Sequence, residues 1–306
     1  MRTAADSTGA NSPGTTSIGA KASRVTAART RGSMFVAVCA AAALLVSGCS
    51  GTSGPQPTPD ATSAPSMPSA SAPTTDSAAE TAAPVETAAP IEAEPLGVFA
   101  EAEPESQVPC LDEGFTHLAI EGEHGASAVT VGEGAVGIVL GHQSDGSMCQ
   151  WADEAVLLAE RGYAVILPSL RLRDQVGAFL AAEQWLRAGG AIEVVLAGPS
   201  MGGTIAIAAA AAAEVAPAAV IAVSSPAALG RLDAAAGAPR VDAPTLLLAG
   251  SNDRDYAAQA AELEAALGGE VTLRVFDSGA HGVQLVDMPE AQGAIDDFLA
   301  AHAPAS

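Results

Sequence analysis

Basic residues are scarce in this chain. Its 306 residues hold 13 Lys and Arg against 35 Asp and Glu, a net charge of −22. A surface of that sign repels nucleic acid and anionic membrane faces and should disfavour strongly anionic substrates. Acidity that only maintains solubility is the plainer reading of the same numbers. Metal-ligand spacing is missing as well. The five histidines, His117, His124, His142, His281 and His302, form no paired ligand motif, so neither a metal nor another cofactor is expected. No Gly-rich phosphate loop is present, because the irregular stretch Gly141 to Gly146 is followed by no Gly-Lys-Ser/Thr. No apolar run reaches the roughly 20 residues that span a bilayer comfortably. No internal repeat interrupts the chain, which argues against a solenoid or propeller.

The longest apolar run is Met34 to Val46, with Arg24, Arg29 and Arg31 upstream. A basic region, a short apolar core and then small residues make an export signal over residues 1–48. A start at Met34 would leave no basic region. The following Val46-Ser47-Gly48-Cys49 resembles a bacterial lipobox, which implies diacylation of Cys49 and attachment to the extracytoplasmic face of the cell membrane. An ordinary signal peptide, or an uncleaved anchor, with a chance cysteine is the plainer alternative. Loss of the signal leaves eight basic and 34 acidic residues, a net charge of −26.

Residues 49–95 are dominated by Pro, Ser, Thr and Ala, with almost no large apolar side chain. Such a segment buries too little surface to offset its ordering entropy and reads as a disordered linker. At about 3 Å per residue where polyproline-like, it reaches roughly 140 Å. A glycosylated stalk fits the same composition. Cysteine usage agrees with export: with Cys39 lost and Cys49 lipidated, Cys110 and Cys149 remain as an even pair in an oxidising compartment. A bridge would staple the segment before the first strand to a loop near residue 149; two buried thiols are the other reading.

Residues 96–306 are left for one domain, enough for a single substantial core. Short apolar runs alternate with longer helical patterns. Strands are expected near residues 117–120, 128–131, 138–140, 164–167, 193–197, 220–224, 245–249 and 272–276. Helices are expected near 150–160, 175–188, 202–215, 255–267 and 289–301. That alternation predicts an α/β fold, a mainly parallel sheet of about eight strands with helices on both faces.

Three short stretches carry chemistry. Gly198-Pro199-Ser200-Met201-Gly202 lies between a strand pattern and an alanine-rich helical run. A serine between two near glycines at a strand-to-helix turn makes a nucleophile elbow, with the helix N-terminus aimed where negative charge develops. A helix N-cap serine is the structural alternative. Downstream, Asp253 follows one strand pattern in Gly250-Ser251-Asn252-Asp253, and His281 follows the last in Asp277-Ser278-Gly279-Ala280-His281-Gly282. All three candidates fall at carboxyl ends of strands, where open α/β sheets gather their active groups. Asp255 and Asp277 are the rival carboxylates for the histidine.

From about Phe115 onward the chain resembles the α/β-hydrolase superfamily, in particular small lidless serine esterases and dienelactone-hydrolase-like members. The run Gly137 to Ser144, then Trp151, then Gly162-Tyr163-Ala164-Val165 adds to the likeness, although Gly141-His142 inverts the usual His-Gly pair. The resemblance implies Ser200 as nucleophile, His281 as general base, Asp253 as its orienting acid, and an oxyanion hole from the N–H groups of Gln143 and Met201. It implies a carboxylesterase acting on small esters through an acyl-enzyme. An acyltransferase or peptidase with the same triad, and a non-catalytic envelope-binding lipoprotein on the same scaffold, are the other readings. His142, Trp151 and Tyr256 are secondary candidates for contacting substrate. Only about 20 residues separate Ser224 from Pro244, so no lid domain is expected and the site should be open.

Overall fold

Alternating β-branched and aliphatic residues, punctuated by Gly and Pro, generate most of the architecture in the computed structural model. It describes residues 93–305 apart from 104–108, 112–113 and 123–124. The expected signal segment, Cys49 and nearly all of the linker lie outside the described residues. The strands are β1 (Ala100–Glu101), β2 (Thr116–Ala119), β3 (Ser127–Val131), β4 (Val136–Leu140), β5 (Ala164–Pro168), β6 (Glu193–Pro199), β7 (Ala219–Val223), β8 (Ala228–Leu229), β9 (Leu232–Asp233), β10 (Thr245–Gly250) and β11 (Val271–Phe276). The helices are α1 (Ala152–Glu160), α2 (Gln175–Ala188), α3 (Met201–Ala212), α4 (Ala234–Gly237), α5 (Tyr256–Ala266), α6 (Val283–Val286) and α7 (Pro289–His302).

Nine strands form one sheet in the order β1-β2-β3-β5-β4-β6-β7-β10-β11. The first four in that order pair antiparallel, and every pairing from β5 to β11 is parallel. Eight of the nine match the expected strands. The ninth, β1, is two residues long and caps the edge beside β2. Apart from exposed Glu193 at the start of β6, the central strands β4, β6, β7 and β10 are buried throughout, as parallel strands covered on both faces must be.

Period-two alternation divides those strands between two cores. Val139, Leu196, Val220, Ala222 and Leu247 face a cluster built with Phe179 of α2, Ile205 and Ile207 of α3 and Leu263 of α5. Ile138, Leu140, Val195, Ile221, Val223 and Leu248 face the other side, with Leu158 of α1, Leu285 of α6 and Phe298 and Leu299 of α7. Alanine makes α3 thin: Ala206, Ala208 and Ala209 are at most 1 % exposed, so the helix backbone lies close to the sheet. Asp174 caps α2 by accepting from Gly177 N–H at 2.9 Å.

The chain is already packed on the domain at Ala93, where the composition still reads as linker. Leu96 N–H donates to Gly177 O at 3.0 Å, and Phe99 is 2 % exposed. A disulfide joins Cys110, in a 3-10 turn at Pro109–Leu111, to Cys149, in a 3-10 turn at Met148–Trp151; their Cα atoms are 5.6 Å apart. The connection from β7 to β10 holds the β8–β9 hairpin, α4 and a 3-10 turn at Ala238–Arg240; no lid domain is inserted among the described residues. No helix among the described residues is long and apolar enough to cross a membrane.

Candidate active site

The carboxyl edge of the parallel strands gathers four loops. Ser200 lies between β6 and α3 with φ 49° and ψ −118°, a backbone conformation strained for any residue with a Cβ. Three backbone hydrogen bonds hold it there. Its N–H donates to Val223 O at 2.7 Å, and its carbonyl accepts from the N–H groups of Gly203 and Thr204, both at 3.1 Å. The flanking glycines are required by contact. A Cβ on Gly198 would stand 2.6 Å from the carbonyl carbon of Gly202, and one on Gly202 would stand 2.7 Å from Gly141 O. The Ser200 side chain makes no hydrogen bond among the described residues. The N–H of Met201, the first residue of α3, likewise has no acceptor among them, and it lies at the positive end of the helix.

Asp253 and His281 meet across the loops that follow β10 and β11. The Nδ1 of His281 lies 2.7 Å from Oδ2 of Asp253. A carboxylate only accepts, so Nδ1 carries the proton and Nε2 is left as the basic nitrogen. The Asp253 side chain is 6 % exposed and that of His281 is 30 %. One partner is thus shielded and the other is open to a ligand. The ring of Tyr256 packs against the imidazole with centroids 4.5 Å apart. Of the two rival carboxylates, Asp255 precedes α5 without a side-chain cap bond. Asp277 accepts from Asn252 Nδ2 at 3.0 Å and Ser251 Oγ at 3.4 Å. Asp277 therefore ties the acid loop to the histidine loop rather than touching the ring.

The loop after β4 places Gln143 at the junction. Its side-chain Oε1 accepts from Val283 N–H at 3.2 Å, and its Nε2 donates to Asp145 Oδ1 at 2.7 Å. A Cβ on Gly282, which has φ 58°, would collide with that same Oε1 and lie 3.5 Å from Pro199 Cβ. The histidine loop is thus clamped between the residue before Ser200 and the Gln143 amide. The Gln143 backbone N–H, the expected oxyanion donor, donates to Gln150 Oε1 at 3.1 Å. It is open to an oxyanion only when Gln150 turns away.

The secondary candidates divide. His142 is 1 % exposed. Its Nδ1–H donates to Gln143 O at 2.8 Å, and its Nε2 accepts from Leu170 N–H at 3.0 Å. Burial is the main cause that holds its pKa below the ordinary histidine range, with Arg171 adding to it and the Gln143 carbonyl opposing. His142 is therefore a neutral strut between two loops. Trp151 is 5 % exposed and donates from Nε1 to Gly141 O at 2.7 Å, so it packs in the core and does not line the cleft beside His281. Tyr256 does line a cleft of about 350 Å³, together with Asn252, Asp253, Arg254, Gly279 and His281. Sequence reasoning overlooked Arg254. Its position directly after the acid was visible, but its φ of 50° was not.

Solved structures share this architecture. A dienelactone hydrolase from Anabaena variabilis aligns at 23 % identity over 61 % of this chain and 95 % of its own, with a TM-score of 0.50. An acetyl xylan esterase from Paenibacillus sp. R4 aligns at 15 % identity over 67 % of this chain and 88 % of its own, with a TM-score of 0.51. The esterase domain of a Rhodothermus marinus protein aligns at 17 % identity over 62 % of this chain and 98 % of its own, with a TM-score of 0.50. Identities this low establish the α/β-hydrolase fold and nothing finer. No protein-family profile matches the chain, and no curated protein sequence is detectably similar to it.

Proposed function

We propose that this protein is a serine hydrolase that cleaves small carboxylic esters through Ser200, His281 and Asp253. The observation that carries the reading is the 2.7 Å contact of His281 Nδ1 with a shielded Asp253, on the same sheet edge as a serine held at φ 49°. A neutral serine is a weak nucleophile and needs a base to remove its proton. In this reading Oγ attacks the ester carbonyl while His281 Nε2 takes the hydroxyl proton. The Asp253 carboxylate stabilises the imidazolium and keeps the Nδ1–H tautomer. The tetrahedral oxyanion is met by Met201 N–H, a donor worth roughly 3 kcal/mol of barrier. His281 then gives its proton to the leaving alcohol. A water molecule, deprotonated by the same Nε2, resolves the acyl-enzyme and restores Ser200.

The short β7–β10 connection supports a preference for short acyl chains. Chain burial is worth about 0.8 kcal/mol per CH₂, and a site without a lid recovers little of it. The likeness of the three aligned proteins, named for esterase or lactone hydrolysis, is consistent with this class of substrate. The test is labelling with a fluorophosphonate probe, followed by kcat/KM on acetyl, butyryl, octanoyl and palmitoyl p-nitrophenyl esters. Labelling at Ser200 with a fall toward palmitoyl is expected. Absence of labelling sinks the hydrolase reading, and a rise toward palmitoyl sinks the short-ester reading alone.

The proposed setting is the outer face of a cell membrane, with the catalytic domain tethered by the linker to a diacylated Cys49. Two or more acyl chains give stable attachment, where one gives only marginal binding. Mass spectrometry of the N-terminal peptide should find lipid on Cys49; an unmodified Cys49 or cleavage elsewhere ends that part of the reading.

A further inference from the structure

We infer that Gln150 plugs the oxyanion hole of the resting protein, and that the substrate's carbonyl oxygen displaces its carboxamide to reach the Gln143 N–H. The inference rests on the serine-hydrolase reading and adds a residue that restrains the same site. Its starting point is one hydrogen bond. The Gln143 N–H donates to Gln150 Oε1 at 3.1 Å. A backbone N–H only donates, so the carboxamide presents its oxygen there and not its nitrogen. That oxygen is an sp² carbonyl acceptor, as the oxygen of an ester carbonyl is. Gln150 thus stands where a substrate oxygen would accept.

The surroundings of Gln143 tie that position to the candidate triad. The loop after β4 packs on the first turn of α3, where a Cβ on Gly202 would lie 2.7 Å from Gly141 O and 3.1 Å from His142 O. Ser200 and Met201 directly precede Gly202. On the other side, Gln143 Oε1 accepts at 3.2 Å from the N–H of Val283, which lies just past His281. Gln143 is thereby held between the turn that carries Ser200 and the loop that carries His281. Its own carbonyl is pinned as well, accepting from His142 Nδ1 at 2.8 Å and from Gly146 N–H at 3.1 Å. With the peptides on either side packed in this way, access to the N–H depends on Gln150.

The backbone of Gln150 is fixed, but its side chain is free to leave. Its N–H donates to Ser147 O at 3.0 Å, Cys149 before it is bridged to Cys110, and Trp151 after it donates to Gly141 O at 2.7 Å. The side chain lies across Gly146, where any Cβ would collide with the carboxamide. It is half-buried, and the Gln143 N–H is its only hydrogen-bond partner among the described residues. One neutral hydrogen bond is a weak latch. An oxyanion accepts about twice as strongly as a neutral oxygen, so the charge that develops in the transition state displaces the carboxamide more readily than the ground-state carbonyl does. Gln150 therefore holds back the reaction without abolishing it.

The experiment compares Gln150→Met, which keeps the length of the side chain but removes the acceptor, with Gln150→Glu, which keeps the acceptor and adds a negative charge. On p-nitrophenyl acetate, Gln150→Met should raise kcat/KM about three- to tenfold, the factor that one net neutral hydrogen bond is worth. Gln150→Glu should lower it by about tenfold or more, since a carboxylate holds the N–H more tightly and repels the oxyanion. The rate of labelling by a fluorophosphonate should move in the same two directions. A residue that only supports its loop would give a loss in both variants, so a fall in Gln150→Met, or a rise of less than about twofold, overturns the inference. Exchange of the Gln143 amide proton, followed by NMR, should be about tenfold faster in Ser200→Ala/Gln150→Met than in Ser200→Ala; equal exchange overturns it too. Labelling of all three proteins at one rate overturns the plug alone. Failure of all three to label or to turn over ester removes the hydrolase reading, and the plug with it.

Discussion

Ser200 is held where a serine would not rest by itself. The strain at φ 49° is stabilised by three backbone hydrogen bonds and by glycines on either side. Its side chain is left without a partner of its own. Because residues of a triad act as a unit, Ser200→Ala and His281→Ala should each lower kcat by about 10⁶-fold, and Asp253→Asn by about 10⁴-fold. Turnover of p-nitrophenyl acetate measures the loss, and circular dichroism checks that the fold persists. Wild-type turnover in Ser200→Ala would rule out the assignment. His142 makes a separate prediction, about pH. Its pKa is lowered by burial, so the unfolded chain binds a proton near the ordinary 6.5 while the folded chain does not. Stability from this group is complete above pH 6.5 and declines as pH falls toward the lowered folded value. Glu183 and Glu154, whose pKa values are raised chiefly by burial, act with the opposite sign at lower pH. The contribution of His142 is therefore read as a difference: the fall in Tm from pH 7 to pH 5 should be shallower in His142→Asn than in wild type. Equal slopes would show that the histidine does not carry it.

At the scale of the element, the β6–α3 turn works because three backbone segments touch. Gly202 packs on the Gly141 carbonyl, and Gly198 packs on Gly202. The loop after β4 is thereby fixed against the start of α3, and through Gln143 against the loop that carries His281. A methyl group at this junction has nowhere to go. Gly202→Ala should lower both Tm and kcat, since a backbone carbonyl cannot swing aside as a side chain can. Gly293 offers the contrast. It lies inside α7, a Cβ there meets nothing within 4 Å, and α7 continues past Gly293 to His302. Gly293→Ala should raise stability by about 0.5–1 kcal/mol through reduced unfolded-state entropy. Chemical denaturation of the two variants side by side tests both. A silent Gly202→Ala would mean that the turn is looser than these contacts require.

At the scale of the whole molecule, the sheet supplies two cores, and the disulfide fastens the segment ahead of β2 to the loop behind β4. The bridge closes a loop with a sequence separation of 39. By the chain-entropy relation this stabilises the fold by about 4 kcal/mol, an upper figure if the unfolded chain retains structure. Cys110→Ser should therefore lower Tm by several degrees under oxidising conditions, and a reductant should lower the wild type to the same value. If the reductant leaves the wild-type Tm unchanged, the bridge contributes nothing to the folded domain. Gln150 follows Cys149 directly and holds the Gln143 N–H, so the same comparison should show altered kcat if the bridged turn steers that side chain.

Much of this architecture is written in local patterns. Apolar runs of four to seven residues bounded by Gly, Pro and Asp give the strands, and alanine-rich or amphipathic stretches give the helices, because both periodicities are properties of neighbouring residues. The order Ser200, Asp253, His281 at strand ends was legible for the same reason. Other features depend on groups far apart in the chain. The two-residue β1 and the β8–β9 hairpin exist only through their partners, and α3 stops at Ala212 although the alanines continue, because the chain must turn back to enter β7. Asp253 is the expected acid from sequence, with Asp255 and Asp277 as rivals, but only the packed loops show its carboxylate 2.7 Å from the imidazole. Gln143 shows the limit most clearly. Sequence placed it beside Ser200 as an expected oxyanion donor, but only the packed loops decided that its N–H is taken by Gln150 while its side chain holds the loop after His281. Periodicity and turn chemistry are set within a few residues, whereas hydrogen-bond partners are settled by whatever the folded sheet brings within 3 Å.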